Sequence, residues 1–180
     1  MCYGAYLVKD LSNRTLDFLL SIGELLSSII IAAYLNKSGI ESLWVDSRKY
    51  IKTDESFSCA SVLLEETYKN INTLKTETRV MIAPGFMGST SKGETITLGR
   101  GGSDYSGALF AYGLDAVQFE KWTDVSGMLT SDPRVVDSAK VINELSYEEA
   151  MELSHFGAKV IYPPSIRPVL EKKIPIVIKN

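Results

Sequence analysis

Val80-Met-Ile-Ala-Pro-Gly-Phe-Met-Gly-Ser-Thr-Ser-Lys-Gly-Glu-Thr-Ile-Thr-Leu-Gly-Arg-Gly-Gly-Ser-Asp-Tyr-Ser-Gly-Ala-Leu-Phe-Ala-Tyr-Gly113 is the stretch whose reading decides the fold. It opens on a short apolar run, Val80 to Ala83, that suits a buried strand, and Pro84-Gly85 turns that strand into a loop. Gly85 to Gly102 is the most glycine-rich part of the chain. The small residues from Tyr105 to Gly113 then read as a helix, with Ser103 or Asp104 placed to cap it. Strand, glycine loop and helix in that order belong to α/β layered proteins.

The loop lacks the Gly-Lys-Ser/Thr triplet of a Walker A loop. Gly99-Arg100-Gly101 begins a dinucleotide fingerprint, but Asp104 stands where its third glycine should be. Glycines still let backbone N–H groups approach an anion, and a helix start just beyond favours negative charge. From composition alone, anion binding and a plain flexible hairpin stay equally open.

Working outward, Arg14 to Lys37 is apolar nearly all round a helical wheel and ends at Gly39, a suitable C-cap. Its uncharged run, Leu25 to Asn36, falls short of the roughly 18–20 residues that span a bilayer. Leu16–Leu35 is therefore expected to be a largely buried helix. Glu41 to Asp46 reads as a strand, and Thr53 to Lys75 as a polar connection with a helix around Ala60–Tyr68. Toward the carboxyl end come a strand at Val117–Trp122, a polar loop to Arg134, and a capping box at Ser146-Tyr147-Glu148-Glu149 that opens a helix to Phe156. A Pro163-Pro164 break leads into another helix, and Ile174–Lys179 makes a last strand. The pattern predicts an α/β protein, a three-layer α/β/α sandwich with a mainly parallel sheet, formed by residues 1–180 as one domain.

Composition narrows the function. Nineteen basic against 22 acidic side chains, with no basic stripe, argue against a nucleic-acid binder. Two distant cysteines, Cys2 and Cys59, make no disulfide framework and suit a reducing cytosol. With a single histidine, His155, no zinc-ligand spacing exists and no metal site is expected. Neither a secretory signal nor a membrane association is expected.

Four blocks carry a more specific signal. Pro84 to Ser106 closely resembles the aspartate kinase signature of the amino-acid kinase superfamily. Trp122-Thr-Asp-Val-Ser-Gly-Met-Leu-Thr-Ser-Asp-Pro-Arg134 resembles that family's nucleotide loop, Leu145 to Pro163 its third block, and Ser21-Ile-Gly-Glu24 an upstream one. Together they cover nearly the whole chain in the family's order. The resemblance implies an amino-acid kinase fold and transfer of a phosphoryl group from ATP, with Mg²⁺ on its phosphates, to L-aspartate, at the head of lysine, threonine and methionine biosynthesis.

The same resemblance implies roles for individual residues. Arg100 would clamp the aspartate α-carboxylate, Glu24 would receive the substrate ammonium, and Ser103 would lie at the substrate site. Asp104 would hold the phosphoryl-transfer lysine. Gly101 and Gly102 would offer backbone donors near the phosphates, and Thr123, Asp124, Arg134 and Lys159 would meet the nucleotide. Read without the resemblance, Glu24 is a helix-face ion pair, Ser103 a helix cap, and Arg134 a surface partner of Asp132 or Asp137. Leu129 and Tyr162 depart from the tyrosine and histidine common in relatives.

The resemblance implies that the family's Lys-Phe-Gly-Gly-Thr-Ser-type loop brings phosphate-cradling glycines, the transfer lysine and part of the aspartate site; no such loop occurs in these 180 residues, and neither do regulatory ACT modules. The expectation is a partial aspartate kinase catalytic domain, possibly of a bifunctional aspartokinase/homoserine dehydrogenase parent, inactive alone, cytoplasmic and homo-oligomeric. The rival readings are another amino-acid kinase, of glutamate or acetylglutamate type, and a non-catalytic nucleotide-binding or assembly module.

Overall fold

Ser12 starts the first described helix, α1 (Asn13–Lys37), its Oγ accepting from the Thr15 backbone N–H at 3.3 Å, which satisfies one of the donors a helix start leaves open. The computed structural model describes residues 12–77, 79–125, 127–131, 136–156 and 160–180. Two units are formed, one ending at Ser106 and the other running Gly107–Asn180.

In the first unit, α1 packs against strands β1 (Ser42–Trp44), β2 (Val80–Ile82) and β4 (Thr95–Thr97). The face it buries is small and polar: Asp17, Ser21, Ser28 and Ala32. Their spacings of four, seven and four residues make one helical stripe. Trp44 Nε1 donates to Ser28 Oγ at 2.9 Å, and Asn36 Nδ2 donates to Ser42 Oγ at 2.8 Å, so polar bonds fix the helix to β1.

The expectation of a largely buried Leu16–Leu35 helix is corrected here. Leu20, Leu26, Ile29, Ile30, Ile31 and Tyr34 are exposed, Ile30 at 66% and Tyr34 at 68%. Short side chains on the packed stripe let the helix lie close to the strands, and the long apolar ones are left on the other faces. By length and composition α1 could cross a membrane, but Asp17, Glu24, Ser28 and Asn36 all bond to other parts of the same unit.

β1 and β2 pair in parallel, Ser42 opposite Val80 and Trp44 opposite Ile82. A four-residue helix, α2 (Ser47–Tyr50), follows β1, capped by Asp46. The next helix, α3, spans Leu64–Asn72 rather than Ala60–Tyr68. The residues before it are held extended: Thr53 bridges Val62, and the Leu63 N–H donates to the Lys52 carbonyl at 2.8 Å.

The glycine-rich loop is a buried antiparallel hairpin, β3 (Met87–Ser89) with β4. Gly88 is required there, because a Cβ at that position would lie 2.7 Å from the Ile51 carbonyl oxygen. Helix α4 (Gly102–Gly113) follows, and Ser103 and Asp104 sit inside its first turn rather than capping it from outside.

In the second unit, β5 (Phe119–Trp122) pairs in parallel with β6 (Ile176–Lys179). Ala108, Ala111, Met128, Ile161, Ile166, Val169 and Ile174 form the buried cluster beneath them. The capping box is present. Ser146 Oγ and the Ser146 backbone N–H both donate to Glu149 Oε2 at 2.8 Å, and the Glu149 N–H returns a bond to Ser146 Oγ, opening α5 (Tyr147–Phe156). Pro163 begins α6 (Pro163–Glu171), where its missing N–H costs nothing. Among the described residues, the β1–β2 and β5–β6 ladders are parallel and the hairpin is antiparallel.

Candidate active site

Each proposed residue can be followed from its own element. Glu24 lies on α1 seven residues after Asp17, and its Oε1 accepts from the Gly85 backbone N–H at 3.1 Å. That bond joins α1 to the loop leaving β2. The same loop is held on its other side, where Ser47 Oγ donates to the Pro84 carbonyl at 2.5 Å. Phe86 follows with φ +50°, left-handed backbone that a non-glycine residue seldom adopts. Its N–H donates to Ser106 Oγ at 3.1 Å, and the Ser106 hydroxyl donates to the Ser103 carbonyl at 2.9 Å. Ser106, in the first turns of α4, thus stitches that helix to the Pro84–Phe86 loop.

Arg100 sits in the tight turn between β4 and α4. Gly99 and Gly101 both have φ +71°, and the Gly102 N–H closes the turn on the Gly99 carbonyl at 3.1 Å. A side chain at residue 101 would strain that backbone. Gly102 is crowded as well, since a Cβ there would lie 2.9 Å from Phe86 Cβ. The Arg100 side chain is exposed at the tip of the turn. Gly101, Gly102, Ser103 and Asp104 follow as the start of α4, where backbone N–H groups and the helix dipole favour an anion. The first unit therefore holds Glu24, Arg100, Gly101, Gly102, Ser103 and Asp104 on α1, one turn and one helix start.

Thr123 and Asp124 belong to the second unit, at the carboxyl end of β5. The Thr123 N–H donates to the Lys179 carbonyl at 2.8 Å, and Thr123 Oγ1 and Asp124 Oδ1 are 3.2 Å apart. The end of the parallel ladder is where α/β proteins place ligands. Arg134 and Lys159 lie outside the described residues. A cavity of about 580 Å³ in this unit is lined by Met128, Ile142, Leu145, Tyr147, Ile166 and Ile178, among others, and neither Thr123 nor Asp124 lines it. Among the described residues, no three His, Cys, Asp or Glu side chains come together as a metal site.

Two residues escape a reading of the sequence. Ser106 reads as one more small residue of a helix. Asp17 reads as a helix charge, although its spacing from Glu24, two helical turns, places both on one face.

Residues 5–180 match the amino acid kinase family, and the chain belongs to it. Aspartokinases are among the relatives it matches. It is 40% identical over 165 residues to lysine-sensitive aspartokinase 3 of Escherichia coli, covering 90% of this chain and 37% of that one. It is 42% identical to a bifunctional aspartokinase/homoserine dehydrogenase of Haemophilus influenzae, covering 96% of this chain and 21% of the relative. The crystal structure of Escherichia coli aspartokinase III in complex with aspartate and ADP superposes with TM-score 0.86 at 38% identity, over 93% of this chain and 38% of that one. The chain thus spans well under half the length of these relatives. UMP kinase from Ureaplasma parvum, at 14% identity and TM-score 0.63, shares the fold alone.

Proposed function

We propose that this chain supplies part of the aspartate-binding and part of the nucleotide-binding residues of an aspartate kinase. The observation that carries the reading is the bond from the Gly85 N–H to Glu24, in the unit where the Gly99–Gly101 turn presents Arg100 at the start of α4. A carboxylate and a guanidinium fixed in one unit match the ammonium and α-carboxylate of an amino acid. Support also comes from the aspartate and ADP in the superposing aspartokinase III structure.

In this reading Arg100 grips the α-carboxylate with its planar fork. Glu24, oriented by Gly85, takes the ammonium, and Ser103 borders the substrate. An oxygen of the side-chain carboxylate attacks the γ-phosphorus of ATP, the bond to the β–γ bridging oxygen breaks, and ADP leaves with that oxygen. Backbone donors at Gly101 and Gly102 face the charge on the transferring group, and Asp104 holds the cationic partner that the family places there. Thr123, Asp124, Arg134 and Lys159 hold the nucleotide. The Mg²⁺ that accompanies ATP would be carried by the phosphates and would neutralise their charge. The exposed apolar face of α1 supports a homo-oligomer, and the setting is cytoplasmic.

The test is an NMR titration of the chain with L-aspartate, L-glutamate, N-acetylglutamate and UMP. The expected result is saturable shifts at Glu24, Gly85 and residues 99–102 with aspartate alone among the four. Equal response to glutamate, or none to aspartate, rejects the aspartate reading.

A further inference from the structure

We propose that Asp17 is a positioning residue for the carboxylate-gripping turn at Arg100. It does not touch substrate, and its role rests on the reading of Arg100 given above. Asp17 is 0% exposed, a carboxylate buried on the packed face of α1. Burying a charge is costly unless hydrogen bonds replace its water. Three do so: Oδ2 accepts from the Ser58 N–H at 2.8 Å and from the Thr97 N–H at 3.1 Å, and Oδ1 accepts from the Thr97 hydroxyl at 2.8 Å.

Those donors flank the Arg100 turn. Thr97 is the last residue of β4, two positions before Gly99. Ser58, itself at φ +73°, belongs to the loop that Gly99 packs on, since a Cβ at Gly99 would lie 3.3 Å from the Ser58 carbonyl oxygen. One buried carboxylate therefore fixes both the strand that enters the turn and the loop beneath it. Seven residues on, the same helix face carries Glu24 to Gly85. α1 acts as a ruler, setting the carboxylate grip at one point and the ammonium acceptor two turns later. A carboxylate suits the first point because it accepts from several donors at once.

The experiment compares Asp17→Ala, Asp17→Asn and Ser28→Ala in the full chain, measuring aspartate and Mg-ADP dissociation constants by titration and amide exchange by NMR. Asparagine can keep all three bonds, its Oδ1 toward the two N–H groups and its NH₂ toward Thr97 Oγ1, because a hydroxyl also accepts. Asp17→Ala is expected to weaken aspartate at least tenfold while Mg-ADP changes less than twofold, and to speed exchange at residues 99–102. Asp17→Asn should stay within about threefold of the parent in aspartate affinity. Ser28→Ala, which loses the bond from Trp44 on the same face, should lower the melting temperature and leave aspartate binding unchanged. Equal weakening of both ligands by Asp17→Ala, or unchanged exchange at residues 99–102, overturns the proposal. If Asp17→Ala does not fold, Thr97→Val decides by the same criteria. If the parent chain binds no aspartate, the kinase reading fails, while the exchange data still decide whether Asp17 sets the turn.

Discussion

Arg100 stands on a turn whose flanking residues, Gly99 and Gly101, both take positive φ, backbone that glycine adopts with least strain. On the proposed reading, Arg100→Ala in an aspartate kinase carrying these 180 residues should raise the aspartate KM by about thirtyfold or more, the loss of a charge-assisted pair worth about 2 kcal/mol, and change the ATP KM little. Lys159→Ala should do the reverse, and steady-state kinetics with each substrate varied in turn would check both. A second residue-scale expectation concerns Asp46. Burial pushes its carboxyl up, but the Arg48 side chain and backbone N–H donate to it, and the net position lies below the ordinary carboxylate value. A carboxyl lowered in the folded state contributes stability above its unfolded value, about 3.9, and loses it as pH falls through the folded value. Arg48→Met should therefore reduce stability at pH 6 more than at pH 2.5, as read by urea titration at the two pH values. At this scale the sequence was most informative where a motif supplied it: Glu24, Arg100 and Ser103 are named by their strings, whereas Asp17 carries no string and emerges only when its three donors are seen.

Among the elements, α1 shows how periodicity can mislead. A helix apolar all round ordinarily belongs to a core, yet this one buries Asp17, Ser21, Ser28 and Ala32 and exposes Ile30 and Tyr34. Hydropathy weighs side chains by water aversion, while close packing of a helix on strands selects short side chains. In the double variant Ile30→Arg, Tyr34→Ser the melting temperature should hold within the small range typical of surface changes, about ±0.5 kcal/mol in stability, while self-association falls. Sedimentation velocity across a concentration series would show it, and unchanged association would mean that another face joins the copies. Other elements were legible for local reasons. The Ser146–Glu149 box reads directly because its partners are three residues apart. α3 was misplaced because what keeps Ala60–Leu63 extended is the pairing of Thr53 with Val62 and of Lys52 with Leu63, which no local pattern announces.

For the whole molecule, the α/β class followed from the order of strand and helix signals, but the division after Ser106 did not, because it falls within α4, a helix without a break in its pattern. The packing on each side sets separate sensitivities. Leu109, 0% exposed on α4, belongs to the second unit, and Leu109→Ala should cost about 2–5 kcal/mol in denaturant unfolding by leaving a cavity. The last prediction joins the fold to the chemistry: a polypeptide of these 180 residues, assayed alone, forms no measurable aspartyl phosphate. On the proposed reading Glu24 and Arg100 would grip aspartate, and Asp104 lies in the first turn of α4. The Lys-Phe-Gly-Gly-Thr-Ser-type loop whose lysine Asp104 would hold does not occur in the sequence. Phosphoryl transfer depends on positioned cations and donors rather than on covalent help, and removing one preorganised donor alone typically costs about 10²–10³ in rate. Here a cation and a phosphate loop are both lacking, so the deficits compound. Hydroxamate trapping with ATP and aspartate, run beside an aspartokinase that has the loop, would measure it. Turnover within tenfold of that enzyme would overturn the argument and point to another lysine in the transfer role. Lys92 is the first to substitute, because it lies in the hairpin turn beside Gly93, where its Nζ is engaged by Glu55 at 2.8 Å.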